Sequence, residues 1–368
     1  MKILHIITGL SLGGAENTLL KICEYTKNKK IENTVISLTN YSIIGEQLEK
    51  LNIKVFNLNL KKNFYAPFKI YHFYKLIKKI KPDIIQTWMF HADFFGGILG
   101  KLCGIKRIYW NFRHSNLKVG KSKISTIILY YFLIPLSYFI PNYIICCSKK
   151  TIYASKKKLF HNKKFIYIAN GFDLKTSPLH STYIDNTKFT LGMLANYRPQ
   201  KNHLALIKAL FELKKKYTNF VCLLAGENVD NKNKQLIKLI NNFDLSKEII
   251  LLGKIKDVSE YMHKLDLHVL SSDFGEAFPN VIAEAMSCKI LCIANDVGDS
   301  KEIISDTGII VDTNNPFLFA KAIYKLINIK LDNSQLWEKK RNKAKQIIEN
   351  NYNMKLMCNN YLNVWNKL

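Results

Sequence analysis

Two carboxylates in the segment GEAFPNVIAEAM, residues 275–286, are the side chains best suited to do chemistry. Glu276 and Glu284 are eight positions apart, on either side of a Phe-Pro-Asn turn. Pro279 suits the first turn of a helix, so Glu276 is expected on the entering loop and Glu284 two turns inside the helix. The backbone amides of residues 277–281 then lie at a helix N-terminus, which binds anions or diol hydroxyls. An ordinary amphipathic helix with solvated acids explains the same pattern.

The elements that must position these acids alternate between apolar strands and amphipathic helices. The first series reads KILHIIT, helix 16–26, NTVISL, helix 45–51, KVFNL, helix 67–80, DIIQTW, helix 94–102, RIYWNF and YIICCS. The second reads FTLGML, helix 202–217, FVCLLAG, helix 232–243, IILLG, helix 258–264, LHVLSS, the acidic segment, KILCIAN, GIIVD and a helix after Pro316. Such alternation is typical of parallel sheets covered by helices on both faces.

A polar, proline-bearing stretch separates the two series. IANGFD at 168–173 closes the first, and LKTSPLHSTYIDNTK follows without an apolar pattern, as in a linker between domains. The sequence therefore predicts an α/β protein with two Rossmann-like, doubly wound domains, residues 1–173 and 188–351, which face each other across a cleft at the carboxyl ends of their strands. The last segment, 352–368, has apolar residues at helical spacing and is expected to dock as a helix.

Length and charge limit the class of protein. With 368 residues, 48% of them apolar, the chain is long enough for about two domains with separate cores. Its formal charge of +27 invites a polyanionic partner such as nucleic acid, phosphorylated glycans or acidic lipid headgroups. Only four of the cations are arginine, the residue that contacts bases in bidentate fashion, which argues against nucleic-acid recognition.

Cysteine usage and apolar segments indicate the compartment. The eight cysteines lack the spacing of a disulfide framework or a zinc site, so a reduced, cytoplasmic setting is expected. The first residues run directly into KILHIITG, which is too short for a secretion signal. Residues 124–147 have the apolar character of a membrane span but include Pro135 and Pro141. A helix over about 122–136, followed by the buried strand YIICC, fits them better.

Seven motifs follow one another in order along nearly the whole chain. They are GGAE at 13–16, WMFHAD at 88–93, FRHS at 112–115, NG at 170–171, RPQKNH at 198–203, the two-glutamate segment and DVGDSKEII at 296–304. In this order they resemble the retaining glycosyltransferases of family four, which have the GT-B fold and include many bacterial cell-surface polysaccharide transferases. The resemblance also implies that the final helix crosses back onto the first domain.

The resemblance implies a site for a nucleotide sugar in the second domain. Glu284 should hold the ribose hydroxyls, and Glu276 should approach the sugar or phosphate with the backbone of the turn at Ala277, Phe278, Asn280 and Val281. Gly13 and Gly14 of the first domain would let the backbone approach the diphosphate. A plain strand-to-helix turn is the simpler interpretation of these glycines, and they lack the G-x-G-x-x-G spacing of a dinucleotide site.

Cations rather than a metal are expected to neutralise the diphosphate. Lys201, before the first helix of the second domain, would stabilise the leaving nucleoside diphosphate with Arg198 as its partner. The family commonly has an arginine where this chain has Asn196, so either Arg198 reaches in or the phosphate clamp is weaker. No Asp-x-Asp pair occurs in the chain, so neither a metal nor another cofactor is expected. Solvated surface cations are the plainer interpretation.

Two histidines are the candidate catalytic residues on the acceptor side. His91 and His114 each follow an apolar strand, where an imidazole can hydrogen-bond a sugar hydroxyl and handle a proton near neutral pH. A structural histidine is the alternative, and the family pattern favours function at both positions. Glu16 and Arg113 are further candidate contacts of the acceptor.

Together these expectations describe a metal-independent, retaining transferase. It would move a hexose or N-acetylhexosamine from a nucleotide sugar, with uridine diphosphate as the expected nucleotide, onto a lipid-linked glycan. The departing phosphate oxygen would take the acceptor proton, as the resemblance implies. Aromatic and lysine residues at 61–81 could rest on the anionic inner face of a membrane, or form an ordinary solvated helix. A sugar phosphorylase, a nucleotide-sugar epimerase or a nucleic-acid-binding protein are the alternatives.

Overall fold

The chain divides into two α/β units, each built around its own parallel sheet. The computed structural model describes residues 1–11, 13–60, 67–113, 124–173 and 187–367. One unit comprises Met1–Gly171 with Met354–Leu368, and the other comprises Phe172–Asn353.

Among the described residues, the sheet of the first unit has seven parallel strands in the order β3-β2-β1-β4-β5-β6-β7. The strands are β1 (Lys2–Ile7), β2 (Glu32–Ser37), β3 (Lys54–Asn57), β4 (Ile84–Trp88), β5 (Arg107–Phe112), β6 (Tyr143–Cys146) and β7 (Phe165–Tyr167). The helices between them are α1 (Gly14–Thr26), α2 (Ile43–Lys50), α3 (Pro67–Ile80), α4 (Phe90–Leu102), α5 (Ile124–Phe139) and α6 (Lys149–Lys157). Apolar residues of α3, α4 and α5 cover one face of this sheet, and those of α1 and α2 cover the other.

The sheet of the second unit repeats this plan with six parallel strands in the described chain, ordered β10-β9-β8-β11-β12-β13. The strands are β8 (Phe189–Leu194), β9 (Phe220–Ala225), β10 (Ile249–Gly253), β11 (Leu267–Leu270), β12 (Leu291–Ala294) and β13 (Ile309–Ile310). The helices are α7 (His203–Lys214), α8 (Lys234–Asn242), α9 (Val258–His263), α10 (Asn280–Ser287), α11 (Ser300–Ile304), α12 (Pro316–Asp332) and α13 (Ser334–Asn351).

The last helix, α14 (Met354–Trp365), packs into the core of the first unit. Tyr361 and Trp365 are fully buried there. The Trp365 indole donates to Gln86 Oε1 at 3.2 Å, and Asn111 Nδ2 donates to the Tyr361 hydroxyl at 2.8 Å. The end of the chain therefore completes one face of a sheet whose strands lie some 250 residues earlier, as the separation of Asn111 and Tyr361 shows.

The predicted doubly wound architecture is confirmed in both units. In each sheet the order of strand addition reverses once, between β1 and β4 and between β8 and β11. At such a switch point the loops that leave the two strands diverge to opposite faces, and a crevice opens outside their carboxyl ends. Gly13, Lys201 and Glu276 lie on the segments that follow β1, β8 and β11, and His91 lies in the first turn of the helix that follows β4.

Several elements of the first unit differ from the sequence-based prediction. Helix α4 begins at Phe90 rather than at residue 94, because Met89 turns the chain directly out of β4 with a positive φ of 71°. Helix α6 was not predicted; it is rich in lysine, and Ser148 caps it by accepting from the Thr151 amide. Strand β7 was missed as well, since it has three residues.

Helix α5 runs on to Phe139, beyond the predicted end near residue 136, with Pro135 inside it. A proline inside a helix removes one backbone hydrogen bond, and the exposed position of Pro135 lets water satisfy the freed carbonyl. The segment YIICC forms β6 as predicted. Within the described ranges, none of the helices combines the length and the apolarity that crossing a bilayer requires.

Candidate active site

An ion pair joins Lys201 and Glu276 at the switch point of the second sheet. Lys201 Nζ donates to Glu276 Oε1, and the Ser272 hydroxyl donates to the same oxygen at 2.8 Å. Both charged side chains are largely buried, with 21% of the Lys201 side chain and 14% of the Glu276 side chain exposed. The structure thus brings together two predicted site residues and adds Ser272, which the sequence analysis missed although it follows directly from the strand in LHVLSS.

The backbone around Lys201 is fixed by its neighbours. Pro199–Lys201 form a single 3₁₀ turn, and Asn202 then adopts the left-handed conformation with φ of 50°. Its side chain accepts from the Ala205 amide and so caps α7. The Ser271 hydroxyl donates to the carbonyls of Lys201 and Asn202 at 2.9 and 3.0 Å. The loop after β8 is therefore tied to the end of β11, which sets the position of Lys201.

Two histidines near Lys201 are held in the neutral form. His268, on β11, is fully buried, and burial together with the charge of Lys201 lowers its pKa to about 3. Burial also lowers the pKa of His203, the first residue of α7, to about 4. Both rings are uncharged at neutral pH, so they leave the positive charge of this part of the site to Lys201.

The loop that carries Glu276 is held by the DVGD segment. Gly298 has φ of 52°, and a Cβ there would collide with the Ala277 carbonyl oxygen. The Asp299 amide donates to the same Ala277 carbonyl at 2.9 Å. Only glycine fits both this backbone conformation and this close approach. The motif at 296–304 therefore supports the loop that carries Glu276.

Helix α10 corrects the predicted depth of Glu284. The helix starts at Asn280 with Pro279 as its N-cap residue, so Glu284 is its fifth residue and lies little more than one turn inside, rather than two. Glu284 is half-buried, as are Asn280 and Val281, whereas Ala277 and Phe278 are buried. The candidate donor contacts thus lie on one loop and the helix turn that follows it.

The structure separates Arg198 from the Lys201–Glu276 pair. The Arg198 guanidinium lies 3.9 Å from Glu227, with 57% of its side chain exposed. Asn196 is engaged through its side-chain oxygen, which accepts from the Glu227 amide at 3.0 Å. Both predicted donor contacts are therefore oriented toward the loop after β9.

In the first unit, Glu16 lies over the start of α1. A Cβ at Gly13 would collide with the Glu16 carboxylate, whereas the φ of Gly13, −163°, is one that any residue adopts. The Glu16 side chain would have to move aside for a side chain at position 13, and the backbone conformation there does not require glycine. Burial raises the pKa of Glu16, while its own amide and Arg113 act in the opposite direction. The acid occupies the helix end at which Gly13 and Gly14 were predicted to admit a diphosphate.

Arg113 is held in a network at the carboxyl edge of the first sheet. Its guanidinium donates to Asn170 Oδ1 and, at 2.6 Å, to the Tyr361 hydroxyl of α14. The same group lies over the Trp88 ring at 5.1 Å from the centroid. The sequence analysis predicted Arg113 as an acceptor contact but not these partners, although Asn170 belongs to the NG motif.

His91 is half-buried in the first turn of α4, immediately after the turn at Met89. Asp93 holds that turn from inside: its Oδ1 accepts from the Thr87 hydroxyl at 2.6 Å and from the Asn111 amide at 3.2 Å. Asp93 is fully buried, and burial raises its pKa well above the usual value. The sequence analysis assigned no role to this acid of the WMFHAD motif. His114 lies outside the described residues.

Comparison with known proteins identifies the family. Residues 12–176 match the family model described as Glycosyltransferase Family 4, and residues 180–354 match the one described as Glycosyl transferases group 1. The chain belongs to the family four glycosyltransferases. The family predicted from the order of the motifs is therefore confirmed for this enzyme.

Relatives of this glycosyltransferase cover most of its length. It is 23% identical over 325 residues to the capsular polysaccharide biosynthesis glycosyltransferase CapH of Staphylococcus aureus, covering 82% of this chain and 83% of CapH. It is 23% identical over 354 residues to the UDP-Gal:alpha-D-GlcNAc-diphosphoundecaprenol alpha-1,3-galactosyltransferase of Escherichia coli, covering 90% of this chain and 89% of the relative.

A solved structure shares the fold of this glycosyltransferase. The crystal structure of Anabaena HepE in complex with UDP-glucose has a TM-score of 0.82, 20% sequence identity and full coverage of both chains. This likeness establishes the GT-B fold.

Proposed function

We propose that this glycosyltransferase transfers a hexose or N-acetylhexosamine from a UDP-sugar to a lipid-linked glycan, with retention of anomeric configuration. The donor class is supported by the UDP-glucose bound to HepE and by the UDP-galactose in the name of the Escherichia coli relative. The acceptor class is supported by the diphosphoundecaprenol in that name and by the capsular polysaccharide of CapH. The observation that carries the proposal is the Lys201–Glu276 pair at the switch point of the second sheet.

Lys201 supplies the charge that stabilises the leaving UDP. A nucleoside diphosphate develops negative charge on its terminal phosphate as the glycosidic bond breaks, and a cation in a partly desolvated site stabilises that charge strongly. Without donor, Glu276 neutralises the ammonium. When the diphosphate takes over Lys201, the Glu276 carboxylate is released to accept hydroxyls of the sugar, while Ser272 keeps hold of it.

The start of α10 completes the donor site. The helix dipole at Asn280 and Val281 favours an anion, and Glu284, one turn further, accepts the ribose hydroxyls. Asn196 carries no charge, and Arg198 is held at the surface by Glu227. Two arrangements of the phosphate clamp were predicted, one in which Arg198 reaches in and a weaker one without it. The geometry favours the weaker clamp, in which Lys201 is the main cation.

The acceptor hydroxyl is contacted from the first unit, by His91 with Glu16, Arg113 and His114. The buried Asp93, two residues after His91, ties the first turn of α4 to Thr87 of β4 and Asn111 of β5. The departing phosphate oxygen takes the acceptor proton, so the protein mainly positions the reactants and stabilises charge. The anomeric configuration of the product, read by NMR, tests retention. With a lipid-linked acceptor, the enzyme works at the cytoplasmic face of the inner membrane.

Binding of the donor is tested by thermal unfolding. A UDP-sugar at about 100 times its dissociation constant should stabilise the folded state by about 2.7 kcal/mol. Glu284→Gln should weaken UDP-sugar binding at least about tenfold, because it removes a charged acceptor from the ribose. The control Glu338→Gln lies on α13 with half of its side chain exposed and should behave as wild type. Absence of any shift with UDP-, GDP- and ADP-sugars alike would contradict the proposed function.

Transfer should need no divalent metal, since Lys201 and the α10 amides face the diphosphate. Activity measured after exhaustive treatment with EDTA should remain within about twofold of that in magnesium, because the charge stabilisation comes from fixed protein groups. A loss that magnesium restores would assign the diphosphate to a metal and overturn this part of the proposal.

A further inference from the structure

Helix α5 presents a second apolar stripe to solvent. Its inner stripe, with Leu129 and Leu133, is buried in the core of the first unit. The opposite stripe is exposed and follows helical spacing without a charged residue; it comprises Ile124, Ile128, Tyr131, Phe132, Tyr138 and Phe139. Between 49% and 76% of each of these side chains is accessible. One apolar face is enough to pack a helix on the core. The second apolar face of α5 therefore indicates a binding partner outside the unit.

The neighbouring helices of the same layer extend this surface. Phe68 and Tyr71 of α3 are 81% and 54% exposed, and Tyr153 of α6 is 63% exposed. Helices α3, α4 and α5 all pack on the same core cluster, so their outer sides belong to one face of the first unit. The helices of the opposite layer, α1, α2 and α14, expose fewer large apolar side chains, namely Ile43 and Leu356. The apolar surface is therefore one-sided.

The charge of this part of the chain is also one-sided. Residues 94–172 contain fourteen lysines and arginines and no aspartate or glutamate. Lys156 and Lys157 are exposed on α6, and Lys158 Nζ lies 5.6 Å from the centre of the Tyr131 ring, beside the stripe. An apolar stripe bordered by unopposed cations is complementary to the interface of an anionic bilayer, where aromatic rings lie among headgroups and lysines meet phosphates.

A concavity at the end of α5 adds a place for a headgroup. It has a volume of about 360 Å³ and is lined by Phe139 and Tyr143 together with Lys101, Lys163 and Lys164. Lys164 Nζ donates to the carbonyls of Ser137 and Tyr138, which fixes its position at the end of the helix. Aromatic rings beside several ammonium groups suit a phosphate whose acyl chains lie along the stripe.

We propose that the outer face of α5, with α3 and α6, docks on an anionic lipid bilayer. The sequence analysis placed such contact at residues 61–81; the structure extends it to α5, the segment whose apolar character first suggested a membrane span. A second copy of the chain is disfavoured as the occupant, because each copy would bring its own excess of cations to the interface. This inference rests on the proposed function in one respect: the purpose of docking is to hold the enzyme where the lipid-linked acceptor lies.

Vesicle flotation of the whole protein tests the docking without sugar transfer. Binding is compared between phosphatidylcholine vesicles and vesicles in which about a third of the lipid is phosphatidylglycerol. Wild type should bind the anionic vesicles and be released by high salt. The variant Ile128→Ser/Phe132→Ser should bind them at least about tenfold more weakly, because both side chains lose the apolar surface that enters the interface. Lys156→Gln/Lys157→Gln should also bind more weakly.

Matched controls lie in the second unit. Phe317→Ser/Leu318→Ser removes two side chains of similar exposure, 66% and 47% against 51% and 59% for Ile128 and Phe132. Lys321→Gln/Lys325→Gln removes two exposed lysines of α12. Both controls should float like wild type. Equal loss in variants and controls, no binding to anionic vesicles, or a dimer of the wild type that Ile128→Ser/Phe132→Ser dissociates would each overturn the proposal. Because donor binding is measured separately, failure here leaves the transferase function standing.

Discussion

Replacing Lys201 with alanine is expected to lower kcat/KM about 10²- to 10³-fold, the usual effect of removing one preorganised group that stabilises developing charge. The Lys201 ammonium has little exposure and is held by a turn that Ser271 and Asn202 fix, so solvent should screen its charge on the proposed diphosphate only weakly. Initial rates with a UDP-sugar and a soluble acceptor analogue measure the effect.

Arg198→Ala is the matched control for Lys201→Ala. It removes a cation of the same motif, three residues earlier, but one whose side chain is 57% exposed and paired with Glu227. We expect a loss of less than about tenfold, since exposed ion pairs contribute little. Equal losses in both variants would show that the arginine reaches the phosphate after all, and an unchanged rate in Lys201→Ala would remove the lysine from the mechanism.

The loss in Lys201→Ala must be separated from the effect of an unpaired Glu276. Glu276→Gln keeps a side chain of the same shape that can still accept from Ser272, and it relieves the charge that Lys201→Ala would leave partly buried. If Lys201→Ala/Glu276→Gln melts like wild type and its activity is below that of Glu276→Gln by the same factor that separates Lys201→Ala from wild type, the lost rate belongs to the missing cation. Recovery of activity in the double variant would assign the loss to the stranded carboxylate instead.

The strands and the doubly wound, parallel class of the sheets could be predicted from the sequence because local patterns indicate them. Apolar runs of a few residues set the strands, and helix 67–80 was predicted with the bounds that α3 has. The start of α4 was missed because it depends on Met89, whose positive φ is not a local preference of methionine and whose amide donates to the Asn111 carbonyl of β5 at 3.1 Å. The lysine-rich α6 has few apolar residues, so the Ser148 cap is the sequence signal that could have indicated it.

For the site, the sequence identified residues but not their partners. Lys201 and Glu276 were both predicted in the donor site, yet their ion pair joins positions 75 residues apart and depends on β8 lying next to β11. Arg113 likewise meets Tyr361 across 248 residues. Such pairings follow from strand order and from the return of the last helix, so motif spacing cannot give them. The sequence does predict which residues follow the carboxyl end of each strand. Residues that follow the two strands at a switch point lie beside the same crevice, so their neighbourhood can be predicted although their partners cannot.

Replacing Trp365 with alanine is expected to destabilise the first unit by about 3–5 kcal/mol, the range for truncating a large aromatic residue in a core. The indole is fully buried and lies 5.8 Å from the rings of both His5 and Tyr361. Its loss also leaves the buried Gln86 Oε1 without the donor at 3.2 Å, which adds the cost of an unsatisfied polar atom.

Calorimetry of the full chain measures this effect, and Leu356→Ala on the same helix is its control. Leu356 is 39% exposed, so its truncation should cost less than about 1 kcal/mol. Because the two units have separate cores, Trp365→Ala should split the unfolding of the chain into an early transition of the first unit and a later one of the second. UDP-sugar should raise the later transition alone when its site lies in the second unit. A single transition at the wild-type temperature would mean that α14 contributes little to the core, and the network of Arg113 and Tyr361 would then need another support.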